Sequence, residues 1–270
     1  MDGYGIGMPP TILSRRRCCW FAWRGAGKGA VVDIIKAEFG VVIDTEDELL
    51  PVRHIIGIGR NYAAHASEQG ASVAEYPVMF TKNPASATVH EAAVEIPAIC
   101  RDAATGRGQV DFEAELAVVI GKAARDVSKA DALSYVLGYC CANDVSARWW
   151  QKHGSDGQWC RGKSFDTFCP LGPTLVPAAE VPDPQALRVI LRLNGEVMQD
   201  EPTSHMMFPV ARLISELSEG MTLMPGTVIL TGTPSGVGMV RQPPVWIKAG
   251  DVMEVDIAGV GVLRNTVVER

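Results

Sequence analysis

What the sequence lacks narrows it first. No apolar run approaches the ~20 residues of a membrane-crossing helix, so no membrane partner is expected. There is no basic excess either: 25 Lys and Arg stand against 31 Asp and Glu, a net charge of −6. A phosphate backbone needs a basic face, so nucleic acid is not expected as a partner. The seven cysteines are odd in number and show no C-x-x-C or paired Cys/His spacing. That argues against a disulfide framework or zinc site and for a reducing compartment, the cytoplasm, with most cysteines packed as small core residues. Two glycine-rich strings lack the residues that make nucleotide loops. In GAGKGA, Gly29 rather than Ser or Thr follows Lys28, and Ala22 stands where the first Gly should be. After Gly57-Ile58-Gly59, Tyr62 takes the place of the third Gly. There are no internal repeats and no low-complexity tract.

What is present is an ordinary globular composition. The chain has 270 residues, 47% hydrophobic and 21% charged, enough for one large domain or two small ones around a sizeable core. It is organised around the stretch from Asp111 to Asp144. This opens DFEAELAVVIG, where Asp111, Glu113 and Glu115 alternate with Phe112 and Ala114 before an apolar run from Leu116 to Ile120. The short β-branched run predicts a strand, on which residues two apart share a face. The three acids are then expected to point the same way at the mouth of a buried strand. Clustered like charges need something positive among them. A hard divalent cation, Mg²⁺, is one answer; a strand end with its acids in water is the other.

Along the rest of the chain, residues 1–30 carry Arg15, Arg16, Arg17, Arg24 and Lys28 among Cys18, Trp20, Phe21 and Trp23, with no acid between Asp2 and Asp33. This suits a mitochondrial transit peptide, a basic arm, or a start codon placed too early. Residues 31–52 predict two short strands joined near Gly40. His54–Ile58 reads as a strand, and the residues after Asn61 as a short helix on which His65 and Glu68, three apart, can touch. A His held by a carboxylate is a common general base; a surface helix pair is the plainer reading. Residues 77–84 predict a strand ending at Lys82, and residues 128–143 a helix running into Asp144. Lys163 lies in a segment with Phe165, Phe168 and Leu171. It is either a snorkelling surface cation or a fixed positive charge for an anionic intermediate. His153, in the loop WWQKHGSDGQWC, reads as solvated. In RVILRLNGEVMQ, Asn194-Gly195 marks a hairpin with a type I′ turn. Residues 208–219 predict a helix, Val228–Leu230 a strand, and residues 245–268 closing strands. The loop TGTPSGVG gathers backbone N–H groups that suit a carboxylate or phosphate, or it makes a tight turn.

Six segments, GRNYAAHASE, DFEAELAVVIG, GYCCANDVSAR, GKSFDTFCPLGP, LNGEVMQ and LTGTPSGVG, follow one another in the order and spacing of the fumarylacetoacetate hydrolase superfamily. The chain resembles that superfamily over about residues 53–268. DGQWCRGKSFDTFCPLGP and RQPPVWIKAGD look closest to its fumarylacetoacetate hydrolase domain-containing branch, which includes oxaloacetate tautomerases. Bacterial relatives are often named hydroxyheptadienedioate isomerases or acylpyruvases. The resemblance implies an α+β fold, mostly β: a mixed β-sandwich roll or barrel with a few short helices. It implies an N-terminal extension and small β layer over 1–52, a catalytic domain over 53–270, and a homodimer. It also implies a site. Glu113, Glu115 and Asp144 match the carboxylates that hold Mg²⁺ (or Mn²⁺), while Asp111 matches a position that is not usually a ligand. His65, Glu68 and Lys163 match catalytic residues, the first two a His–Glu pair on a mobile lid, the third a lysine facing the substrate. Lys82, Arg148, Gln151 and Thr233 match substrate-binding positions. Trp149 departs from the family, which usually has an acid directly after this arginine.

The chemistry this resemblance implies is that of a small 2-keto acid. A metal ion acts as Lewis acid for negative charge on the keto oxygen, and Lys163 adds a second positive charge. Losing only a proton from C3 is keto–enol tautomerisation. Losing CO₂ from C4 is decarboxylation of oxaloacetate. Water delivered to a C4 carbonyl by His65 hydrolyses the C–C bond of an acylpyruvate such as fumarylpyruvate. The expected function is a metal-dependent isomerase, lyase or C–C hydrolase acting on small 2-keto dicarboxylic acids, oxaloacetate first. Outside enzymes, Trp149 motivates a dicarboxylate-binding protein without turnover, and the basic N-terminal stretch a nucleic-acid binder.

Overall fold

The computed structural model of the chain describes residues 32–270 apart from 39, 46, 71 and 73. The basic stretch 15–28 and the string GAGKGA lie outside the described residues. In chain order the strands begin with β1 (Val32–Lys36), β2 (Val41–Asp44), β3 (Leu49–Pro51), β4 (His54–Gly59), β5 (Val78–Lys82), β6 (Ala87–Val89), β7 (Val94–Ile96) and β8 (Val110–Asp111). There follow β9 (Ala114–Ile120), β10 (Val136–Asn143), β11 (Ser146–Ala147), β12 (Cys169–Pro177), β13 (Arg188–Leu193), β14 (Glu196–Pro202), β15 (Thr227–Leu230), β16 (Val252–Ile257) and β17 (Gly261–Glu269). Four α-helices interrupt them: α1 (Ala63–Glu68), α2 (Arg148–Lys152), α3 (Trp159–Lys163) and α4 (Val210–Ser218).

The larger sheet runs β3-β2-β1-β12-β10-β9-β15-β4-β5, with β6 alongside β12; the smaller runs β14-β13-β16-β17-β7. Every residue of β9 and β10 is buried, because the sheet is covered on both faces. On one face Leu116, Val118, Ile120, Ile56 and Ile229 pack against Val189, Leu191 and Val255 of the smaller sheet. Leu213, Ile214 and Leu217 of α4 join them. On the other face Ala117, Val119, Ile55 and Val228 meet Val32, Ile34, Val41 and Ile43, so the sheet curls until its first strands roof its own back. The mostly-β sandwich with a few short helices is therefore what forms. The strands of residues 32–51 join the large sheet through β1 and β12, Val32 opposite Leu175. The expected hairpin is present, Asn194 and Gly195 both having positive φ. The thiols of Cys100, Cys140 and Cys169 are each pushed up to about 12 by burial, as inert core residues should be.

Three stretches differ from expectation. Residues 32–51 make three strands rather than two, and the segment WWQKHGSDGQWC, read as a loop, holds most of α2 and the start of α3. The helix predicted over 128–143 is absent: Ala132–Tyr135 makes a short 3₁₀ turn and Val136–Asn143 is a strand, Cys141 opposite Leu116 and Ala142 opposite Glu115. An unbroken apolar run reads alike as buried helix or buried strand. Here both faces are covered, Tyr139 and Cys141 in one core, Cys140 and Ala142 in the other.

The site grows from a small interruption in this sheet. The ribbon of β8 and β11 pairs Asp111 with Ser146. The chain therefore leaves strand geometry at Phe112–Glu113 on one side and at Asp144–Val145 on the other.

Candidate active site

Three acids meet where those two gaps face each other. Carboxylate oxygens of Glu113, Glu115 and Asp144 lie within 4.8 Å of one another, all three residues buried. The gaps are stitched by the Asp144 N–H donating to the Glu113 carbonyl (2.8 Å) and the Glu113 N–H donating to Asn143 Oδ1 (3.0 Å). Glu115 follows on β9. The alternation expected of the acids thus holds for Glu113 and Glu115 and fails for Asp111, because the strand breaks between them. Asp111 is turned away: its Oδ1 accepts from the Gly238 N–H (2.8 Å), and its Oδ2 from the Met239 N–H (3.0 Å) and Arg148 Nε (2.9 Å).

Three buried cations stand among the acids. Lys163 Nζ donates all three protons, to Glu113 Oε2 (2.6 Å), Asp144 Oδ2 (2.6 Å) and Ser146 Oγ (2.7 Å). Arg148 Nη1 reaches Glu113 Oε1 (2.7 Å) and Gln151 Oε1 (3.0 Å). Lys82 pairs with Asp144 Oδ1 and donates to the Phe168 carbonyl (2.9 Å). Glu115 alone of the triad has no ion pair among the described residues; its Oε2 accepts from the Gly232 N–H (2.6 Å). Gly232 has φ +96, and a Cβ there would come within 2.6 Å of the Asn61 side chain, so only glycine brings this N–H to Glu115.

The titrations follow from this arrangement. Burial pushes the Glu115 carboxyl well up, and the charges of Asp144 and Glu113 push it further. Burial also acts against ionised Glu113, but Arg148 and then Lys163 outweigh it and hold that carboxyl well below the usual range. Lys163 is the mirror case: burial opposes its charge, yet Asp144 and Glu113 prevail and its pKa is raised. With Glu115 ionised, four buried carboxylates stand against three cations and one negative charge is left uncompensated, which together with burial is what pushes its carboxyl up when no further cation is there. An all-oxygen donor set with that surplus fits a hard divalent cation such as Mg²⁺ or Mn²⁺.

Beside the triad, α1 brings His65 Nδ1 to 2.6 Å from Glu68 Oε1, and Glu68 Oε2 accepts from the Gly236 N–H (2.9 Å). His65 is buried, so this is not a surface helix pair. Of the site residues expected from sequence, all but Glu68, Lys82 and Asp144 line one pocket. Lys82 is behind Asp144 rather than at the cavity wall. The Thr233 hydroxyl is turned into the fold, donating to the Ala114 carbonyl (2.9 Å) and accepting from Gln199 Nε2 (2.7 Å). His153 is exposed against the Trp149 ring, outside the cavity.

Residues 54–268 match the family model described as the fumarylacetoacetate (FAA) hydrolase C-terminal domain. The chain belongs to the fumarylacetoacetate hydrolase family. It is 44% identical over 214 residues to a mitochondrial oxaloacetate tautomerase of Bos taurus, a match covering 79% of this chain and 66% of that protein. The match therefore spans just under two thirds of that relative's length. Among solved structures of the family, a fumarylpyruvate hydrolase from Pseudomonas aeruginosa, in complex with Mn²⁺ and pyruvate, is 32% identical with a TM-score of 0.74, covering 87% of this chain and 99% of that one. A 5-carboxymethyl-2-hydroxymuconate delta-isomerase from Mycobacterium smegmatis is 36% identical with a TM-score of 0.71, over 88% and 94%.

Two residues inside the family segments carry more of the site than their spacing reveals. Gln199, in LNGEVMQ, accepts from the Ala114 N–H (2.9 Å) and donates to Thr233 Oγ1 and the Pro234 carbonyl (2.8 Å), tying the TGTPSGVG loop to β9. Asn61, in GRNYAAHASE, donates to the Thr231 (2.7 Å) and Phe208 (3.0 Å) carbonyls and accepts from the Phe208 N–H (2.7 Å). Nothing in periodicity marks a buried amide of this kind. Among the described residues no helix is long and apolar enough to cross a membrane.

Proposed function

We propose that this chain is a Mg²⁺- or Mn²⁺-dependent enzyme acting on small 2-keto dicarboxylic acids, with oxaloacetate tautomerisation the reaction its site suits best. The observation that carries this reading is the buried triad of Glu113, Glu115 and Asp144 beside a cavity shared with His65 and Lys163. The triad would hold the ion. When bound, it supplies a Lewis acid for the negative charge that develops on the substrate's keto oxygen.

The chain's own residues do the rest. Lys163, fixed by Glu113, Asp144 and Ser146, keeps a positive charge beside the developing enolate. Arg148, pinned by Asp111, and Gln151 present donors that orient the substrate. Glu68 accepts from His65 Nδ1, which leaves the lone pair on Nε2. Gln69 donates to that nitrogen (2.9 Å) and gives way to a substrate proton at C3. A base so placed contributes about 10²–10⁴-fold. The same dyad favours a second reading, in which His65 takes a proton from water and a C–C bond of an acylpyruvate hydrolyses, as the name of the Pseudomonas aeruginosa neighbour suggests. We take the active form to be a homodimer, which light scattering tests directly.

Oxaloacetate turnover, followed at the enol band and as pyruvate with and without EDTA, decides among these. Enol loss without pyruvate, abolished by EDTA, supports the tautomerase. Metal-dependent pyruvate moves the protein to decarboxylation, and cleavage of fumarylpyruvate alone to hydrolysis. Activity untouched by EDTA, or none on any of these acids, sinks the reading.

A further inference from the structure

We propose that Arg60 is the seat of the substrate's second carboxylate, so that this site selects dianionic keto acids by charge. The inference rests on the function proposed above. Arg60 joins β4 to the start of α1 and lines the same cavity as Glu113 and Glu115. The other cations of that wall are already paired with acids of the chain. Lys163 spends its protons on Glu113, Asp144 and Ser146, and Arg148 is held by Asp111 and Glu113. Among the described residues Arg60 makes no ion pair; its contact is the Trp159 ring, whose centroid is 5.5 Å from its Cζ. A ring contact steadies a guanidinium without satisfying its N–H fork. That fork matches a carboxylate in two parallel hydrogen bonds.

The placement is built into the backbone. Arg60 has φ +53, left-handed geometry that a side-chain-bearing residue adopts at a cost and that gathers at ligand clamps. Gly59 precedes it, and a Cβ there would run into the Trp159 ring. Its absence lets the ring lie against the end of β4 and carry Arg60. Trp159 and Phe80, with ring centroids 5.5 Å apart, make an apolar wall beside it. Arg60 lines one pocket with Glu113 and Glu115 of the triad. A carboxylate at Arg60 and one at the triad therefore belong to a single molecule. A 2-keto acid with one carboxylate leaves Arg60 unmatched; a diacid does not.

The test compares oxaloacetate with its 4-methyl ester, which differs by one charge, in the wild type, Arg60→Gln and Arg60→Lys. The wild type should favour the diacid by about 10–100-fold in kcat/KM, chiefly through KM. Arg60→Gln should bring the two substrates level, and Arg60→Lys should restore part of the difference. A merely structural role would lower both substrates together. An undiminished preference for the diacid in Arg60→Gln overturns the inference. If the wild type turns over neither compound, the proposed function fails by itself and the inference is read from binding. Calorimetric titration of the Mn²⁺-loaded protein with malonate and with monomethyl malonate then replaces turnover. Discrimination by the wild type that Arg60→Gln loses supports the assignment; equal discrimination in both, or none in the wild type, overturns it.

Discussion

The carboxylate end of the cavity and the His65 end are held in place by different means. At the first, Glu113 and Asp144 are each gripped by two cations, at the breaks that adjoin the central strands β9 and β10 of the large sheet. At the second, His65 and Glu68 ride on a helix of six residues, too short to persist without tertiary contacts. Glu68 ties that helix to the rest through one hydrogen bond, from the Gly236 N–H. Charges that must stay close together have been made rigid by neighbours of opposite sign. Under the function proposed above, the group that handles a proton sits on this short helix.

Several variants would break or sharpen this contrast. The largest effect is expected from Glu113→Ala or Asp144→Ala, which should abolish turnover and any stabilisation by added Mn²⁺ in a melting experiment. Each also leaves Lys163 buried with a partner missing, a loss of about 3–5 kcal/mol that denaturant titration would read. Lys82→Met comes next. Removing the cation behind Asp144 should lower stability by about 3 kcal/mol, yet leave KM unchanged under saturating metal; a raised KM would place Lys82 at the substrate after all. At the other end, His65→Ala should lose about 10²–10⁴-fold in hydrolysis while part of any tautomerisation survives, with little change in melting temperature. Full hydrolysis in that variant would refute the assignment of the base. Glu68→Ala should speed amide exchange across 63–69 and leave 114–120 unchanged; equal protection at both ends would remove the contrast itself.

The smallest effect should come from the exposed pair Arg188–Asp200 on the hairpin. Its hydrogen bond to Arg188 holds the Asp200 carboxyl below its ordinary value. The stability it adds is therefore present above the unfolded-state pKa and fades as pH falls through the folded one. At neutral pH and physiological salt Asp200→Asn should be barely measurable, in contrast to every variant at the buried site.

Much of this was legible in the order of residues, and the failures are instructive. The pair Glu113 and Glu115 followed from strand alternation, and the hairpin from Asn194-Gly195. The residues before Asp144 misled because a doubly covered strand has no period to distinguish it from a buried helix. Lys82 reads as a pocket lysine until its pairing with Asp144 is seen. Arg60 was invisible because an unpaired cation is defined by what surrounds it, and a sequence does not show surroundings.

By itself the sequence determined the local elements and the residue types of the site: strand β9 with Glu115 on it and Glu113 just before it, the His65–Glu68 spacing on α1, the turn at Asn194, the helix α4. These depend on contacts within a few residues. Only the tertiary structure decided how their charges pair. Arg148 finds Asp111 across 37 residues, Lys82 finds Asp144 across 62, and Gly238 reaches Asp111 across 127. Buried charges must be matched by whatever lies nearest in space, and in a sheet that curls back on itself the nearest partner is seldom near in sequence.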